Sequence, residues 1–472
     1  MAAVNEQAAS RATRSTVQAP GRRGDVLPLR EATRTWFAIS LQTFGGPAGQ
    51  IAVMQRLLVE ERRWISQQRF LFALSYCTLL PGPEAQQLAT YIGWLLNGVR
   101  GALVAGGLFI LPGILALLGL SALYVGLGDT DVVEAVFTGL APAVIAIVVQ
   151  AVIRVGRRSL TSPELVALAV ASFVALALFG IPFPSVVVTA AVIGWALGHW
   201  QQRNPAAVAR KPPVDPGPPP LIADDALHEE PPSFRRSFGV LLAGLALWAA
   251  PVALAFLLLG GDSVLVDQGR FFSGAAVVTF GGAYAVLAYV AQQAVGVYGW
   301  LSGGEMVRGL ALAESTPGPL IMVVQFVAFV GAYRNPGPLD PWVAALLGGL
   351  LTTWVTFVPC FLFILLGAPY VERLRHNRTL SAALTGITAA VVGVIANLAL
   401  YFATHTLFDE LVRITAGPLD LELPVLRSLS PVEAAVTALG FALVFWRGWS
   451  ILRTLGVCAV AGIVLHLATV AG

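Results

Sequence analysis

The stretch Thr43-Phe44-Gly45-Gly46 lies within an apolar segment and recurs in the second half of the chain as Thr279-Phe280-Gly281-Gly282. A second motif, Pro81-Gly82-Pro83, recurs at the same spacing as Pro317-Gly318-Pro319. One constant spacing for two different motifs indicates that the chain consists of two copies of one unit. Both motifs interrupt apolar segments with glycine or proline, and paired interruptions of this kind point to the binding site of a membrane transporter.

The repeat extends beyond these motifs. Trp64 and Ser66 recur as Trp300 and Ser302 at the spacing of the two motifs. A short insertion after the second Pro-Gly-Pro motif then lengthens the spacing to a new constant value. The pairs matched at this longer spacing are Pro112 and Pro359, Thr138-Gly139 and Thr385-Gly386, and Gln150 and Asn397. Chance similarity of two apolar stretches does not account for so many matches in order.

The composition is that of a chain embedded in a bilayer. Of 472 residues, 57% are hydrophobic and only 12% charged, and the mean hydropathy is +0.76. Soluble domains carry about 25% charged residues. The sequence therefore predicts an all-α polytopic membrane protein with two inverted-topology repeats. We expect about nine full spans plus four broken hairpins of half-helices, or about 10–13 spans if the broken segments are counted otherwise.

Charge and proline content divide the chain. Residues 1–30 carry arginines and no apolar run, which predicts a disordered cytoplasmic tail rather than a signal peptide. Residues 31–200 form the first membrane repeat, 201–236 a Pro-rich, charged cytoplasmic linker, and 237–472 the second repeat. Arginine clusters at one end of the spans place the tail and the linker in the cytoplasm. An odd number of crossings separates the two copies, so the second copy is expected upside down.

The broken segments are the candidate anion site. A broken helix exposes N–H groups that lipid cannot satisfy, and the half-helix that follows presents them at the positive end of its dipole. The alternative is a packing kink, because glycine is common in membrane helices. The substrate-binding candidates are Thr43, Phe44, Gly45, Gly46, Pro47, Gln50, Pro81, Gly82, Pro83, Gln86, Gln87, Thr279, Gly281, Gly282, Thr316, Pro317, Gly318 and Pro319.

Two acids lie beside the Pro-Gly-Pro motifs. Glu84 and Glu314 are proton-coupling candidates, because an ionisable group inside a membrane segment is costly and is usually functional. The alternative for Glu84 is a helix cap favoured by the dipole. Gln150 and Asn397 either line a cavity or bridge helices, and we favour the bridge. Trp64 and Trp300 are expected to anchor the membrane interface.

The ordered motifs resemble those of the chromate ion transporter family in its long, two-domain form, over about residues 31–402. The first copy carries Phe44-Gly45-Gly46-Pro47, Trp64-Ile65-Ser66 and Leu80-Pro81-Gly82-Pro83 followed by Gln86-Gln87. The second carries Thr279-Phe280-Gly281-Gly282, Trp300-Leu301-Ser302 and Ser315-Thr316-Pro317-Gly318-Pro319, and it departs from the first by having Ala283 where Pro47 stands. The resemblance implies an inner-membrane protein that exports chromate, driven by the proton gradient, and confers chromate resistance.

The residues alone reach an anion transporter and leave its cargo open. A sulfate or related oxyanion importer is the first alternative, because sulfate and chromate are tetrahedral dianions of similar size, and sulfate is then a competitor. An anion channel is the second. Scattered cysteines and histidines give no metal site or enzyme arrangement, and no nucleotide-binding loop is present, so we expect no cofactor, no nucleic-acid partner and no catalysis. The sequence leaves the oligomeric state open, a homodimer included.

Overall fold

The computed structural model describes residues 25–44, 46–127, 130–202, 220–222, 227, 233–280, 283–370, 378–416 and 419–471. Gly45, Gly281 and Gly282 lie outside the described residues, as do residues 1–24 of the tail and most of the linker. The helices are α1 Leu29–Ser40, α2 Gly46–Gln55, α3 Gln67–Cys77, α4 Glu84–Leu127, α5 Asp131–Ser159, α6 Pro163–Phe179, α7 Phe183–Gln202, α8 Phe234–Leu259, α9 Val264–Val278, α10 Ala283–Ala291, α11 Gly303–Ser315, α12 Val323–Arg334, α13 Pro341–Gly367, α14 Arg378–Leu407, α15 Pro431–Phe441 and α16 Ile451–Ala471.

The fold is almost wholly helical. Within the described ranges, seven helices are long and apolar enough to cross a membrane, namely α4, α5, α7, α8, α13, α14 and α16. The shorter α6 and α15 are apolar as well. One antiparallel hairpin, β1 Leu411–Ala416 and β2 Leu419–Pro424, interrupts the second half. The prediction of an all-α polytopic membrane protein is confirmed.

The interrupted stretches turn back on themselves. Arg62, which follows the π-helical turn after α2, lies 3.6 Å from Glu31 at the start of α1. The long helix α4 has non-helical backbone at Asn97 and Gly98, and Asn97 donates a 2.6 Å hydrogen bond to the carbonyl of Leu27 beside α1. The two ends of this broken region therefore lie together, as in a hairpin of half-helices.

The second copy closes its hairpin with a charged pair. Arg334, at the end of α12, donates two hydrogen bonds of 2.6 and 2.8 Å to the carboxylate of Glu305 in the first turn of α11. Tyr124 donates a third to the same carboxylate. A bidentate pair of this kind fixes orientation as well as distance, so α11 and α12 are held as two arms.

Helices and turns of the two copies begin at positions separated by the same spacings as the sequence motifs. The π-helical turns span Arg56–Glu61 and Gln292–Val297, and their spacing is that of Gly82 and Gly318. Ser66 caps α3 and Ser302 caps α11, each accepting a hydrogen bond from the third residue of its helix. The same local sequence therefore produces the same local structure twice, which includes a rare helix type.

The last two helices complete the second copy. Beyond β1 and β2 the spacing between matched residues of the two copies lengthens again. At this third spacing the first residue of α6 matches the first residue of α15, and the first residue of α7 matches that of α16. The packing agrees: Gly194 of α7 lies against Gly386 of α14, and its counterpart Gly462 of α16 lies against Gly139 of α5. Small residues let these helix backbones approach closely. Each copy therefore places its terminal helices on the other copy.

Helix α8 has no counterpart among the described residues. Its membrane-spanning window buries none of its residues. It attaches to α13 through two indole hydrogen bonds of 2.9 Å, from Trp248 to the carbonyl of Val355 and from Trp354 to the carbonyl of Leu247. One added crossing between the copies is what an inverted second copy requires. The membrane orientation of each copy remains a prediction.

The two matched tryptophans and the linker differ from the expectations drawn from the sequence. Trp64 and Trp300 do not anchor the membrane interface: they are only 4% and 3% exposed, and each backbone N–H bonds a carbonyl of the preceding π-helical turn at 2.8 Å. Their place just outside the first broken segment of each copy suggests an interface, but the chain folds the indoles inward. The linker also contacts the first copy, since Leu221 donates to the carbonyl of Arg63 and Leu227 is buried.

Candidate functional site

The interrupted segments of the two copies meet and exchange hydrogen bonds. The N–H of Gly82 donates to the carbonyl of Thr279 at 2.7 Å, and the N–H of Gly318 donates to the carbonyl of Thr43 at 3.0 Å. Each bond joins the Pro-Gly-Pro motif of one copy to the Thr-Phe-Gly-Gly motif of the other. A pseudo-two-fold relation between the copies produces such a reciprocal pair.

Local sequence explains why the chain breaks at these points. Thr43 follows the end of α1 and Thr279 follows the end of α9, and each hydroxyl donates to a carbonyl in the last turn of the preceding helix. The carbonyl of each threonine, and not its hydroxyl, accepts the hydrogen bond from the other copy. Gly82 and Gly318 have φ values of +124° and +103°, which L side chains rarely adopt. Glycine is therefore required where each Pro-Gly-Pro motif turns.

The packing around the two turns is also reciprocal. A methyl group added to Gly82 would lie 2.9 Å from the sulfur of Cys360, and one added to Gly318 would lie 3.2 Å from the Cα atom of Gly113. Gly113 and Cys360 directly follow the matched prolines Pro112 and Pro359. The proline-containing helices α4 and α13 thus support the turns of opposite copies.

The first copy supplies glutamines at the centre. Gln50 donates a 2.6 Å hydrogen bond to the carbonyl of Gly318, and Gln87 donates a 2.7 Å bond to the carbonyl of Pro81. Gln86 donates to the hydroxyl of Thr90 at 3.0 Å. All three glutamines are buried, and within the described residues the side-chain oxygens of Gln86 and Gln87 have no hydrogen-bond partner. Two of the amides predicted to bind an anion therefore already donate to backbone carbonyls of the broken segments.

The second copy supplies an acid and a phenol. The hydroxyl of Tyr284 donates to Oε1 of Glu314, whose residue is 1% exposed. Within the described residues Oε2 of Glu314 has no hydrogen-bond partner. A methyl group added at Gly46 would lie 3.6 Å from the Tyr284 hydroxyl. The N-terminal end of α2 in the first copy therefore adjoins the Tyr284–Glu314 pair of the second.

Glu84 occupies a different environment. It is the first residue of α4, directly after the Pro-Gly-Pro turn, and it is half-buried. A carboxylate in the first turn of a helix is stabilised by the helix dipole, so the capping alternative remains consistent with its position. Arg158, near the end of α5, lies within electrostatic range of it. The two acids thus stand at separate points around the paired breaks.

The structure also describes most of the remaining candidates. Thr316 bonds a carbonyl within its own copy, while Pro319, Pro83 and Gly46 are buried. Phe44, Pro47, Pro81 and Pro317 are half-buried. Gly45, Gly281 and Gly282 fall outside the described residues.

Gln150 does not bridge helices through the hydrogen bond that it makes. Its Oε1 accepts a 3.0 Å bond from Nη2 of Arg154, one turn along the same helix. Asn397, at the matched position of α14, is half-buried. From the sequence, Arg154 belongs to the arginine clusters that indicate topology, and no motif distinguishes Tyr284. The one-turn spacing between Gln150 and Arg154 was the available signal.

Helix N-termini and buried amides meet where the two copies touch, and the buried carboxyl of Glu314 lies beside them. Among the residues that the structure describes, no group of three histidine, cysteine, aspartate or glutamate side chains could hold a metal ion.

The fold and its centre define a polytopic helical membrane protein of the transporter class, built from two copies whose broken helices meet. The family model described as chromate transporter matches the chain twice, over residues 30–195 and 266–463. The chain therefore belongs to the chromate transporter family. The first residues of the two matched ranges are as far apart in the chain as Gly82 and Gly318. Their last residues are as far apart as Gly194 and Gly462.

Curated relatives agree with the family. The chromate transport protein of Pseudomonas aeruginosa is 34% identical over 360 residues, which is 75% of this chain and 76% of that protein. The chromate transport protein of Cupriavidus metallidurans is 28% identical over 81% of this chain and 84% of its own length. The uncharacterized transporter YwrB of Bacillus subtilis is 32% identical over 117 residues, 25% of this chain and 59% of its own. No solved structure matches the chain.

Proposed function

We propose that this protein is a secondary active transporter that exports chromate across the bacterial inner membrane, with transport coupled to the proton gradient, and that it thereby confers chromate resistance. The observation that carries the proposal is the meeting of half-helix N-termini from both copies at the reciprocal Gly82–Thr279 and Gly318–Thr43 bonds. Broken helices whose positive ends converge at a repeat interface bind anionic substrates in other transporters.

The proposed cargo fits the donors. A tetrahedral dianion presents acceptors in several directions, and backbone N–H groups at helix ends satisfy them without a fixed side-chain geometry. Such donors discriminate weakly between chromate and sulfate. The choice of chromate rests on the two relatives named chromate transport proteins.

The proposed direction agrees with the electrical gradient. An elementary charge moved across about 100 mV gains or loses about 2.3 kcal/mol, so a dianion gains about 4.6 kcal/mol on leaving a cell whose interior is negative by that amount. Export of chromate is therefore favoured by the membrane potential. We place the N-terminal tail and the linker in the cytoplasm, at the end of α5 that carries Arg154, Arg157 and Arg158.

The proposed proton coupling uses the two acids. A bound dianion and an ionised carboxylate repel each other across a medium of low dielectric constant. Glu314 is buried beside the junction of the copies, and Glu84 is half-buried at the start of α4. Either carboxyl can change its protonation as the anion arrives or leaves.

The deciding experiment is chromate flux in proteoliposomes under imposed gradients. A pH gradient and a membrane potential are applied separately, with sulfate as the competing anion. Accumulation of chromate against its own gradient supports a coupled transporter. Flux that only follows the chromate gradient indicates a channel. Transport of sulfate with no measurable chromate transport contradicts the proposed cargo and favours the oxyanion importer.

A further inference from the structure

One face of α5 carries a row of polar side chains. Gln150, Arg154 and Arg158 follow one another at one-turn intervals, which places them along the same side of a helix. Arg157 stands on a different side and is exposed. The row leads from the exposed Arg158 at the end of α5 to the half-buried Arg154 and then to Gln150.

Arg154 lies on a helix that packs against the junction of the two copies. Helix α11, whose last turn carries Glu314, packs against α5. The guanidinium of Arg154 lies within electrostatic range of the Glu314 carboxylate and the Tyr284 hydroxyl. Its Nη2 donates to Gln150, which orients the side chain along the helix. Arg154 is thus an oriented cation within electrostatic range of a buried acid.

This position is costly unless the cation has a function or a fixed partner. The buried carboxylate beside it accepts a hydrogen bond from Tyr284 on one oxygen, while within the described residues the other oxygen has no partner. The guanidinium provides donors in a planar fork that matches the oxygens of an oxyanion. The cation can therefore interact with Glu314 or with an arriving anion.

The second copy lacks the corresponding row of arginines. At the spacing that pairs Pro112 with Pro359, Arg154 matches Tyr401 and Arg158 matches His405 on α14. The rings of Tyr401 and His405 contact each other, with centroids 4.0 Å apart. The pair of arginines is therefore present at only one end of the pseudo-symmetric molecule, although the broken helices occur in both copies.

We propose that Arg154 binds the transported oxyanion as its counter-charge, and that Arg158 receives the anion at the end of α5 and passes it one turn inward. This inference rests on the proposed function, since it names the side chains that hold the cargo. Because only the first copy has the two arginines, the anion loads from the side at which α5 ends. Glu314 competes with the anion for Arg154.

The test compares three variants for chromate binding to the purified full-length protein, with sulfate as a second probe. Arg154→Gln should weaken binding by about 10- to 100-fold, the range for loss of a hydrogen bond to a charged group. Arg154→Lys should recover part of that loss, because it keeps the charge but not the fork. Arg157→Gln is the matched control on the same helix and should bind like the wild type.

Glu314→Gln adds an independent readout. Removing the competing carboxylate should leave Arg154 available and tighten chromate binding in the wild-type background more than in the Arg154→Gln background, a difference that direct repulsion by Glu314 alone does not predict. Thermal unfolding of each variant checks that it is folded. Should Arg154→Gln fail to fold, wild-type affinity in Arg154→Lys together with unchanged affinity in Glu314→Gln overturns the inference.

The outcomes separate the inference from the function on which it rests. Wild-type protein that binds and transports chromate, with Arg154→Gln equally active, shows that the arginine row is not the anion route. Wild-type protein that neither binds nor transports chromate or sulfate removes the proposed function itself.

Discussion

Replacing Gly82 by alanine tests the proposed role of the Pro-Gly-Pro turn. At a φ of +124° an L side chain is strained, and such backbone costs about 1–3 kcal/mol. The added methyl group would lie 2.8 Å from Nε2 of Gln87 and 2.9 Å from the sulfur of Cys360. Forcing packed groups apart costs about 1–3 kcal/mol more. The total is about 2–6 kcal/mol, since the two costs add.

The effect on transport should be large. Even about 2 kcal/mol changes an equilibrium roughly 30-fold, and the strain falls on the residue whose N–H bonds Thr279 of the other copy. Gly82→Ala should therefore lose chromate flux in proteoliposomes at normal membrane abundance. Gly46→Ala should lose less, because its φ is +75° and its methyl group meets only the Tyr284 hydroxyl, at an ordinary 3.6 Å.

Two further variants make the result interpretable. Gly107→Ala lies in the same long helix with nothing within 4 Å of the added methyl group, and it should transport like the wild type. Gly82→Ala combined with Cys360→Ala should recover only the part of the loss that comes from the contact with Cys360, because the contact with Gln87 and the backbone strain remain. Full activity of Gly82→Ala would refute the assignment of this turn to the transport centre.

Three other predictions concern coupling and stability. Glu84→Gln should leave chromate binding intact while making transport insensitive to an imposed pH gradient; unchanged pH sensitivity assigns Glu84 to a helix cap. Glu305→Gln should lower the free energy of unfolding by about 1–3 kcal/mol, because the Glu305 side chain is only 12% exposed and loses its charge in the bidentate bond to Arg334; an unchanged unfolding temperature contradicts this. Trp300→Ala should cost about 3–5 kcal/mol as a buried large-to-small change, and an unchanged unfolding temperature places the indole outside the core.

The sequence predicts the motifs well because the turns need particular residues. Gly82 and Gly318 adopt backbone conformations that favour glycine, so both copies retain them. The fixed spacing between the copies then reveals the duplication. The threonines at 43 and 279 act through their carbonyls, whereas residue identity points only to their hydroxyls. The partner of each carbonyl is therefore visible only in three dimensions.

The end of the second copy is harder to predict. The β1–β2 hairpin changes the spacing once more, and the apolar helices beyond it share few distinctive residues with α6 and α7. Gly194 and Gly462 are the informative pair, because each lies where two helix backbones touch. Glycine is too common in membrane helices for this match to be recognised without the packing.

Charged and aromatic residues near helix ends mislead for a physical reason. Arg154 and the tryptophans at 64 and 300 have sequence neighbours typical of a membrane surface. For the tryptophans, the broken helix carries the side chain inward, because its half-helices start and end within the protein. Arg154 lies one turn before the exposed end of the continuous helix α5, so the positive-inside rule assigns it to topology alone.

The reciprocal glycine–threonine bonds make the two halves of the chain interdependent. Neither half contains both the donor and the acceptor for its own turn. A half expressed alone would bring an unpaired peptide group into lipid, whereas two halves made separately and inserted together could complete each other. Cutting the chain between α7 and α8 should therefore be tolerated where deleting either side is not. Covalent continuity fixes the one-to-one ratio of the halves, and their mutual complementation makes a stable whole.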